Sequence, residues 1–170
     1  MQLAFKGAPT GGVISKLFDR AICWWTGSKY CHVEIVFDVI DVGPQNNALC
    51  FSSDQSDGGV RFKRVDLTDA KIWTLVKLNV GIAQEDQAHY LASKLVGRGY
   101  DWAAIASFLL PPLDPCRGKL VGPTKFICSA VCVYVCQQIG KFLGNPPAET
   151  NPGLLYNLAI SDLKEVTCAA

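Results

Sequence analysis

The chain has 170 residues, enough for one domain with a hydrophobic core, and its formal net charge is +1. No run of Lys and Arg exceeds two residues, so the composition argues against nucleic acid or an anionic membrane as the main partner. Hydrophobic residues make up 49% and charged residues 18%, which excludes a disordered protein and indicates either a large core or apolar surface that docks onto a partner.

No segment is expected to direct export or to span a membrane. Residues 1–7 lack the basic start and apolar core of a signal peptide. The longest apolar stretch near the middle of the chain, residues 102–113, is interrupted by Pro111 and Pro112 and is shorter than the ~20 residues that cross a bilayer. A soluble protein without a membrane span is therefore predicted.

The first half of the chain predicts one helix followed by strands. Ser15 can cap a helix over residues 16–25, whose apolar side chains recur on one side and which Gly27 ends. Runs rich in β-branched residues, separated by turn-forming segments such as Gly43 to Asn47, predict four strands. The predicted strands cover residues 33–40, 48–52, 60–65 and 71–78.

The second half predicts mainly helices. Apolar residues at helical spacing predict helices over residues 84–96 and 102–109, the second capped by Asp101. Residues 126–139 are apolar nearly all round, which is typical of a central buried helix. A short helix over 154–158 and a last strand over 162–166 follow. We find no repeat or linker, so we expect a single domain over residues 1–170, an α+β fold with helices packed on an antiparallel sheet.

Eight cysteines raise the question of disulfides or a metal site. There is no Cys-x-x-Cys pair, and both histidines lie far from the cysteine cluster in sequence. Cys128, Cys132 and Cys136 recur every four residues along the predicted central helix, so their thiols spread over roughly 12 Å, too far for one zinc ion. We interpret most cysteines as small buried side chains in a reducing setting, and we expect no metal and no cofactor.

The prediction of catalysis depends on two residues, Cys128 and His32. Cys128 stands at the start of the predicted central helix, and His32 opens an earlier strand-like run. A free thiol has a pKa of about 8.5, and a helix N-terminus and a nearby imidazolium both stabilise the thiolate. The pattern therefore predicts Cys128 as nucleophile and His32 as general base and later acid. The other histidine, His89, lies within a predicted helix without a motif around it and is interpreted as a surface or packing residue.

A third polar group should orient the imidazole of His32 and fix its tautomer. Glu34 lies two residues further along the same strand, so both side chains point to the same face. If the first two predicted strands form a hairpin, Ser52 or Asp54 could reach the ring instead. Glu34 is ranked first, and Ser52 and Asp54 stay open as alternatives.

Residues around this pair have simpler expected roles. The backbone N–H of Cys128, with a donor from the region of Tyr30, is expected to meet the oxyanion. Ser129 is interpreted as a first-turn serine, and Asp101 as a helix cap rather than a catalytic acid. Basic residues are expected on an exposed strand face. Aromatic residues could wall a groove, but at such spacing they are expected mainly in the core. The basic set is Arg61, Lys63 and Arg64, and the aromatic set is Trp24, Trp25, Tyr100 and Trp102.

Five short segments occur in a characteristic order along the chain. They are residues 28–36 (Ser-Lys-Tyr-Cys-His-Val-Glu-Ile-Val), 57–62 (Asp-Gly-Gly-Val-Arg-Phe), 97–102 (Gly-Arg-Gly-Tyr-Asp-Trp), 126–129 (Phe-Ile-Cys-Ser) and 151–155 (Asn-Pro-Gly-Leu-Leu). With these segments, which cover most of the chain, the sequence resembles the circularly permuted NlpC/P60 branch of the papain-like cysteine hydrolases. In that branch the histidine precedes the cysteine, as His32 precedes Cys128 here.

The resemblance implies a permuted papain-like fold and a cysteine hydrolase that acts on amide or ester bonds. Members of the family often act on cell-wall peptides or lipids, and forms with the Gly-Gly-Val-Arg-Phe and Tyr-Asp-Trp elements look like proteins of tailed bacteriophages. The expected function is therefore a thiol protease-like amidase or endopeptidase of peptidoglycan. Its expected substrate is a cell-wall peptide or another acyl compound, and phage structural proteins are candidate partners.

One position departs from the family pattern and supports an alternative. Relatives commonly have glutamate two residues after the nucleophile, whereas this chain has Ala130. Together with the high hydrophobicity, Ala130 favours a catalytically silent structural component of a phage virion or tail that uses the same fold. The location is left open between a virion and the bacterial cytoplasm.

Overall fold

Seven strands and five α-helices make up the described part of the chain, residues 1–7, 12–39, 47–109 and 124–168 of a computed structural model. A short 3-10 helix spans Pro147–Glu149. The elements in chain order are β1 (Gln2–Lys6), α1 (Val13–Thr26), β2 (His32–Val39), β3 (Asn47–Asp54), β4 (Gly59–Asp66), β5 (Trp73–Lys77), α2 (Ile82–Leu95), β6 (Gly99–Tyr100), α3 (Trp102–Leu109), β7 (Lys125–Phe126), α4 (Cys128–Gln138) and α5 (Pro152–Cys168).

The strands form one sheet in the order β5-β1-β2-β3-β4-β6-β7. Every neighbouring pair is antiparallel except β6 and β7, which run parallel. The expected antiparallel sheet is therefore mixed. The reason is the connection between the last two strands, which contains α3 and is long enough to return the chain in the same direction.

Helix α4 lies at the centre of the molecule, as the sequence predicts. It packs against β2 and β3 on the sheet and against α2 and α5 at its sides. Most of its residues are fully buried, including Ala130, Val131, Cys132 and Cys136. A helix that is apolar on every side is stable only when it is covered on every side, and the sheet and the two helices provide that cover. The α+β class is thus confirmed, with the start of α4 held against the middle of the sheet.

The sequence predictions differ from the structure at both ends of the chain, where one strand was missed and one predicted strand is wrong. Strand β1 was not expected, yet it pairs with both β2 and β5 and buries Leu3 and Phe5. The predicted last strand over residues 162–166 is instead part of α5, which continues to Cys168. Helical spacing explains this, because Leu155 and Ala159 are buried four residues apart on one face of α5.

Smaller differences concern element ends. Helix α1 begins at Val13 after Gly12, so Ser15 lies within the first turn and is not the cap. The predicted turn falls partly on β3, which begins at Asn47. Residues 40–46 and 110–123 lie outside the described residues. No helix in the described ranges combines the length and apolar character that a membrane crossing requires.

The turn into β4 depends on Gly59. Its φ is +142°, and a Cβ there would collide with the carbonyl oxygen of Arg98 and the backbone of Gly99. This close approach lets β4 pair with β6. Gly58 also has a positive φ, +80°, but a Cβ there would meet no atom within 4 Å. The two neighbouring glycines therefore differ in what they need: Gly58 needs the backbone conformation, and Gly59 needs both the conformation and the space.

We expect Gly59→Ala to lower the free energy of unfolding by about 3 kcal/mol or more, because strain and a backbone collision add. The matched change Gly58→Ala should cost only about 1 kcal/mol, the strain alone. Urea denaturation of both variants checks this. Equal losses would contradict the role given to the contact between β4 and β6.

Candidate active site

The sheet and the central helix bring His32 and Cys128 together. His32 is the first residue of β2, and Cys128 is the first residue of α4, which packs on β2. Both residues line one pocket, so the thiol and the imidazole lie in the same site. A thiol in the first turn of a helix lies in the positive end of the helix dipole, which favours a thiolate. Two positions 96 apart in the sequence thus meet in one site.

Glu34 contacts the imidazole of His32 directly. Its Oε1 lies 2.8 Å from the His32 Nε2, and its side chain is only 2% exposed. Side chains two residues apart on a strand lie on the same face of the sheet, and the side chain of Glu34 is long enough to reach the imidazole ring of His32. Because Nε2 is occupied by Glu34, Nδ1 is the nitrogen left to face the thiol of Cys128.

The two alternative orienting residues have other contacts. The Ser52 hydroxyl donates a hydrogen bond of 2.7 Å to the carbonyl oxygen of Val33, so it holds β3 to β2 and not the ring. Asp54 Oδ2 lies 3.9 Å from the His32 Nε2, and Asp54 Oδ1 accepts two hydrogen bonds from Ser56. The geometry therefore favours Glu34 over Ser52 and Asp54.

Arg61 completes a buried row of polar side chains behind the histidine. Its two terminal nitrogens donate to the two carboxylate oxygens of Glu34, each at 2.7 Å, and its Nε donates to Asp57 at 2.8 Å. The predicted exposed strand face is wrong for Arg61, whose side chain is 13% exposed, whereas Lys63 is 51% exposed. The residue reaches Glu34 across β3, where it pairs in register with Ser52. No motif marks this role, since the partner lies 27 positions away.

These contacts set the charge state of the pair. Burial alone would lower the pKa of His32, but its interactions with Cys128 and Glu34 outweigh burial and raise that pKa to about 10. Burial would raise the pKa of Glu34, but the hydrogen bonds from His32 and Arg61 lower it. Glu34 is therefore ionised and His32 protonated at neutral pH.

Ser53 fixes the entry to α4. Its buried hydroxyl donates a hydrogen bond of 2.6 Å to the carbonyl oxygen of Phe126, two residues before the thiol. The same serine lines the pocket that contains His32 and Cys128. The position of the sulfur is therefore set by the sheet, because β3 holds the segment that leads into α4.

A polar pocket opens on the His32 side of Cys128. Lys6 and Asp19 form an ion pair of 2.7 Å in its wall. Sequence reasoning missed both residues: Lys6 lies in the unpredicted β1, and Asp19 lies in α1 without a motif. The only sequence signal for Asp19 was its position among the apolar residues of the amphipathic helix α1. In the structure its side chain is buried. The pocket is also lined by Ser15, Ser53, Asp54, Gln55 and Ser56.

An apolar pocket opens on the other side of Cys128. Its wall combines side chains of α1 and α3 with the start of α4. The expectation that the aromatic residues lie mainly in the core fails for two of them, since Trp24 is 81% and Trp102 56% exposed. Trp25 and Tyr100 line the pocket. The other apolar side chains around it are Phe18, Ala21, Ile22, Ile105 and Ile127.

The oxyanion donor expected near Tyr30 is not found there. The backbone N–H next to it, that of Cys31, donates to Lys6, and Tyr30 lines a different pocket. Tyr100 lines both pockets that contain Cys128. Burial and then the charge of Cys128 raise the pKa of Tyr100, so its hydroxyl stays protonated and can donate a hydrogen bond. Sequence reasoning had assigned Tyr100 to the core.

The remaining assignments concern packing. His89 is exposed and meets the ring of Phe37 edge-on at 5.0 Å, which agrees with its interpretation as a surface or packing residue. Asp101 accepts a hydrogen bond of 3.0 Å from the N–H of Ala104, which confirms the helix cap. Cys132 and Cys136 are buried and free. Within the described ranges, no three His, Cys, Asp or Glu side chains cluster as metal ligands would.

No family model matches the chain, and no significant match is found among curated proteins. What the site can do is therefore argued from its own residues. A thiol at a helix N-terminus, an imidazole in the same pocket and a buried carboxylate behind the ring are the parts of a nucleophilic acyl-transfer site.

Proposed function

We propose that this protein is a permuted papain-like cysteine hydrolase that cleaves amide or ester bonds. The observation that carries the proposal is that Cys128 and His32 line one pocket while Glu34 holds the His32 ring through a hydrogen bond of 2.8 Å. An imidazole next to the thiol, with a buried carboxylate behind its ring, supports a functional role for Cys128 over a purely structural one.

In the proposed mechanism the Cys128 thiolate attacks the carbonyl carbon of the substrate. The backbone N–H at the start of α4, with the hydroxyl of Tyr100, stabilises the oxyanion. The His32 imidazolium gives its proton to the leaving amine or alcohol, and a thioester remains on Cys128. His32, now neutral, takes a proton from water, whose oxygen attacks the thioester and releases a carboxylic acid. Glu34 holds the ring in place and stabilises its charged form.

The resemblance suggests peptidoglycan stem or cross-bridge peptides as substrate, and a virion or phage tail as the setting. Digestion of purified cell-wall sacculi with the wild type and with Cys128→Ala tests the substrate. New peptide products that require Cys128 would support it. Equal product profiles from the two proteins would remove peptidoglycan from consideration.

The thiol itself can be tested without a substrate. At pH 6 a low dose of iodoacetamide should alkylate Cys128 at least about tenfold faster than the other accessible thiols, because ordinary thiols with a pKa of about 8.5 are almost fully protonated there. Peptide mass spectrometry measures the rate at each site, and Cys23, which is half-buried in α1, is the internal control. Uniform slow labelling would contradict an activated thiol.

A second candidate is a silent structural component of a virion or tail. One surface favours it: α1 exposes Val13, Leu17 and Trp24, which recur along one side of the helix. On this hypothesis the labelling of Cys128 at pH 6 is slow, and neither sacculi nor simple esters are cleaved.

A further inference from the structure

Asp57 lies in the turn between β3 and β4, and its side chain extends along β4. Its carboxylate accepts hydrogen bonds from the Nε of Arg61 at 2.8 Å and from the Nζ of Lys63 at 2.8 and 3.0 Å. Arg61 and Lys63 are two residues apart on one strand, so their side chains lie on the same face and both reach one carboxylate. Burial would raise the pKa of Asp57, but these hydrogen bonds lower it, so Asp57 is ionised at neutral pH.

The guanidinium of Arg61 is therefore held at all three of its nitrogen atoms. Its Nε contacts Asp57, and its two terminal nitrogens donate to the two carboxylate oxygens of Glu34 at 2.7 Å. The guanidinium is planar and rigid, so a bond at Nε fixes the direction in which the terminal nitrogens point. Without that bond, the guanidinium is free to turn about its contact with Glu34. Asp57 thus orients the partner of the carboxylate that holds His32.

Arg61 and His32 share the carboxylate of Glu34. The positive charge of Arg61 weakens the attraction between Glu34 and a protonated His32, and Glu34 with Arg61 alone would form a pair without net charge. The negative charge of Asp57, on the other side of Arg61, leaves these three groups with an excess of one negative charge behind the imidazole. Lys63, at the outer end, is 51% exposed, so water screens its charge.

We propose that Asp57 is a positioning residue of the candidate site. By holding Arg61, it fixes Glu34 against the imidazole of His32 and keeps the charge of that carboxylate available to the ring. The consequence for catalysis rests on the proposed function, in which His32 transfers protons to the leaving group and from water. Asp57 lines neither pocket that contains Cys128, so it acts without touching the substrate.

NMR titration of the histidine ring protons tests this role without a substrate. The chain has two histidines, so His89, which is exposed on α2, is an internal reference. In Asp57→Asn the pKa of His32 should fall, because a negative charge is removed and Arg61 draws more strongly on Glu34. The titration of His89 should stay as in the wild type. Asp57→Glu keeps the charge and should return the titration of His32 toward that of the wild type. Besides Glu34, the titratable side chains that line the pocket with His32 stay unchanged in these variants: Lys6, Asp19, Cys31, Asp54, Tyr100 and Cys128.

Steady-state kinetics with p-nitrophenyl acetate give the second measurement. We expect Asp57→Asn to lower kcat roughly tenfold, the scale on which a residue behind a functional group acts, and to leave KM as in the wild type. Asp66→Asn is the matched control at the other end of β4, where Asp66 contacts Thr68 and not Arg61. It should change neither kcat nor the titration of His32.

Thermal melting shows which variants are folded, and Asp57→Ser replaces Asp57→Asn if the latter does not fold. An unchanged titration of His32 in the folded variant overturns the proposal, and so does an equal fall of the His32 pKa in Asp66→Asn. A shifted titration with an unchanged kcat overturns the link to catalysis. If hydrolysis by the wild type persists in Cys128→Ala, the proposed function fails, and the titration still decides whether Asp57 positions the ring.

Discussion

Glu34→Gln is expected to lower kcat/KM roughly 10²–10⁴-fold, the range that general acid–base catalysis contributes. The change removes one negative charge and keeps the size of the side chain. Without the carboxylate, the imidazolium of His32 loses the acceptor at 2.8 Å that holds its ring and favours its charged form. The pKa of His32 should fall, and NMR titration of its ring protons measures this. Steady-state rates with any ester that the wild type hydrolyses give the second measurement.

Glu34→Gln should also lower the free energy of unfolding by about 2–4 kcal/mol, because the guanidinium of Arg61 loses a buried carboxylate. The double variant Glu34→Gln with Arg61→Met is the control. It removes both charges, so it should recover part of the lost stability but none of the lost activity. If Glu34→Gln alone were as active and as stable as the wild type, the buried pair of Glu34 and Arg61 would not be needed for catalysis.

This loss of stability has a defined pH dependence. The pKa of Glu34 is lowered in the folded protein, so its contribution is present above about pH 4.5 and disappears as the pH falls through the lower folded value. The difference in stability between wild type and Glu34→Gln should therefore shrink on acidification below pH 4.5. Urea denaturation at several pH values follows it.

Cys128→Ala is expected to abolish hydrolysis, with a loss of at least about a thousandfold, because the proposed thioester forms on the sulfur of Cys128. The fold should be retained, since alanine replaces a small side chain in the first turn of α4. Cys132→Ala is the matched control. It removes a buried thiol one turn further along the same helix and should cost stability through the cavity without comparable loss of rate. Equal losses of rate would indicate that neither thiol is the nucleophile.

The same substitution should change how His32 titrates. Burial lowers the pKa of His32, and the interaction with Cys128 is the largest of those that raise it to about 10, so this pKa should fall in Cys128→Ala. A pKa raised in the folded state stabilises the protein below about pH 6.5, and that stabilisation is lost as the pH rises toward 10. Stability in Cys128→Ala should therefore depend less on pH between 6.5 and 10. An unchanged titration of His32 would contradict the ion pair.

The placement of the pair at Cys128 and His32 could be predicted from sequence because each residue begins an element with a strong local pattern. The run of apolar residues from Cys128 onward fixes a buried helix, and the β-branched run after His32 fixes a strand. The structure brings the two together as expected. Choosing Glu34 over Ser52 and Asp54 required the coordinates, because all three lie on the same part of the sheet and differ only in reach.

Long-range contacts could not be predicted. Arg61 and Lys6 owe their roles to the strand order of the sheet, which local periodicity does not encode. The apolar pocket was not foreseen either, because Ala21 and Trp25 have the same spacing as core residues of an amphipathic helix, and only the packing of α1 shows that a space remains between them and α4. The segment predicted as a short helix and a strand is one helix, α5, because local composition near residue 160 does not show that the helical spacing continues to Cys168.

The contact of Arg61 with Glu34 across β3 also links the candidate site to correct strand alignment during folding. If β4 shifted by one position, the guanidinium would move to the opposite side of the sheet, and a carboxylate would remain enclosed without a counter-charge. Misaligned conformers are thereby destabilised by the same carboxylate that holds the imidazole of His32. A chain that reaches the native alignment has, in doing so, already placed the groups that the proposed proton transfer requires.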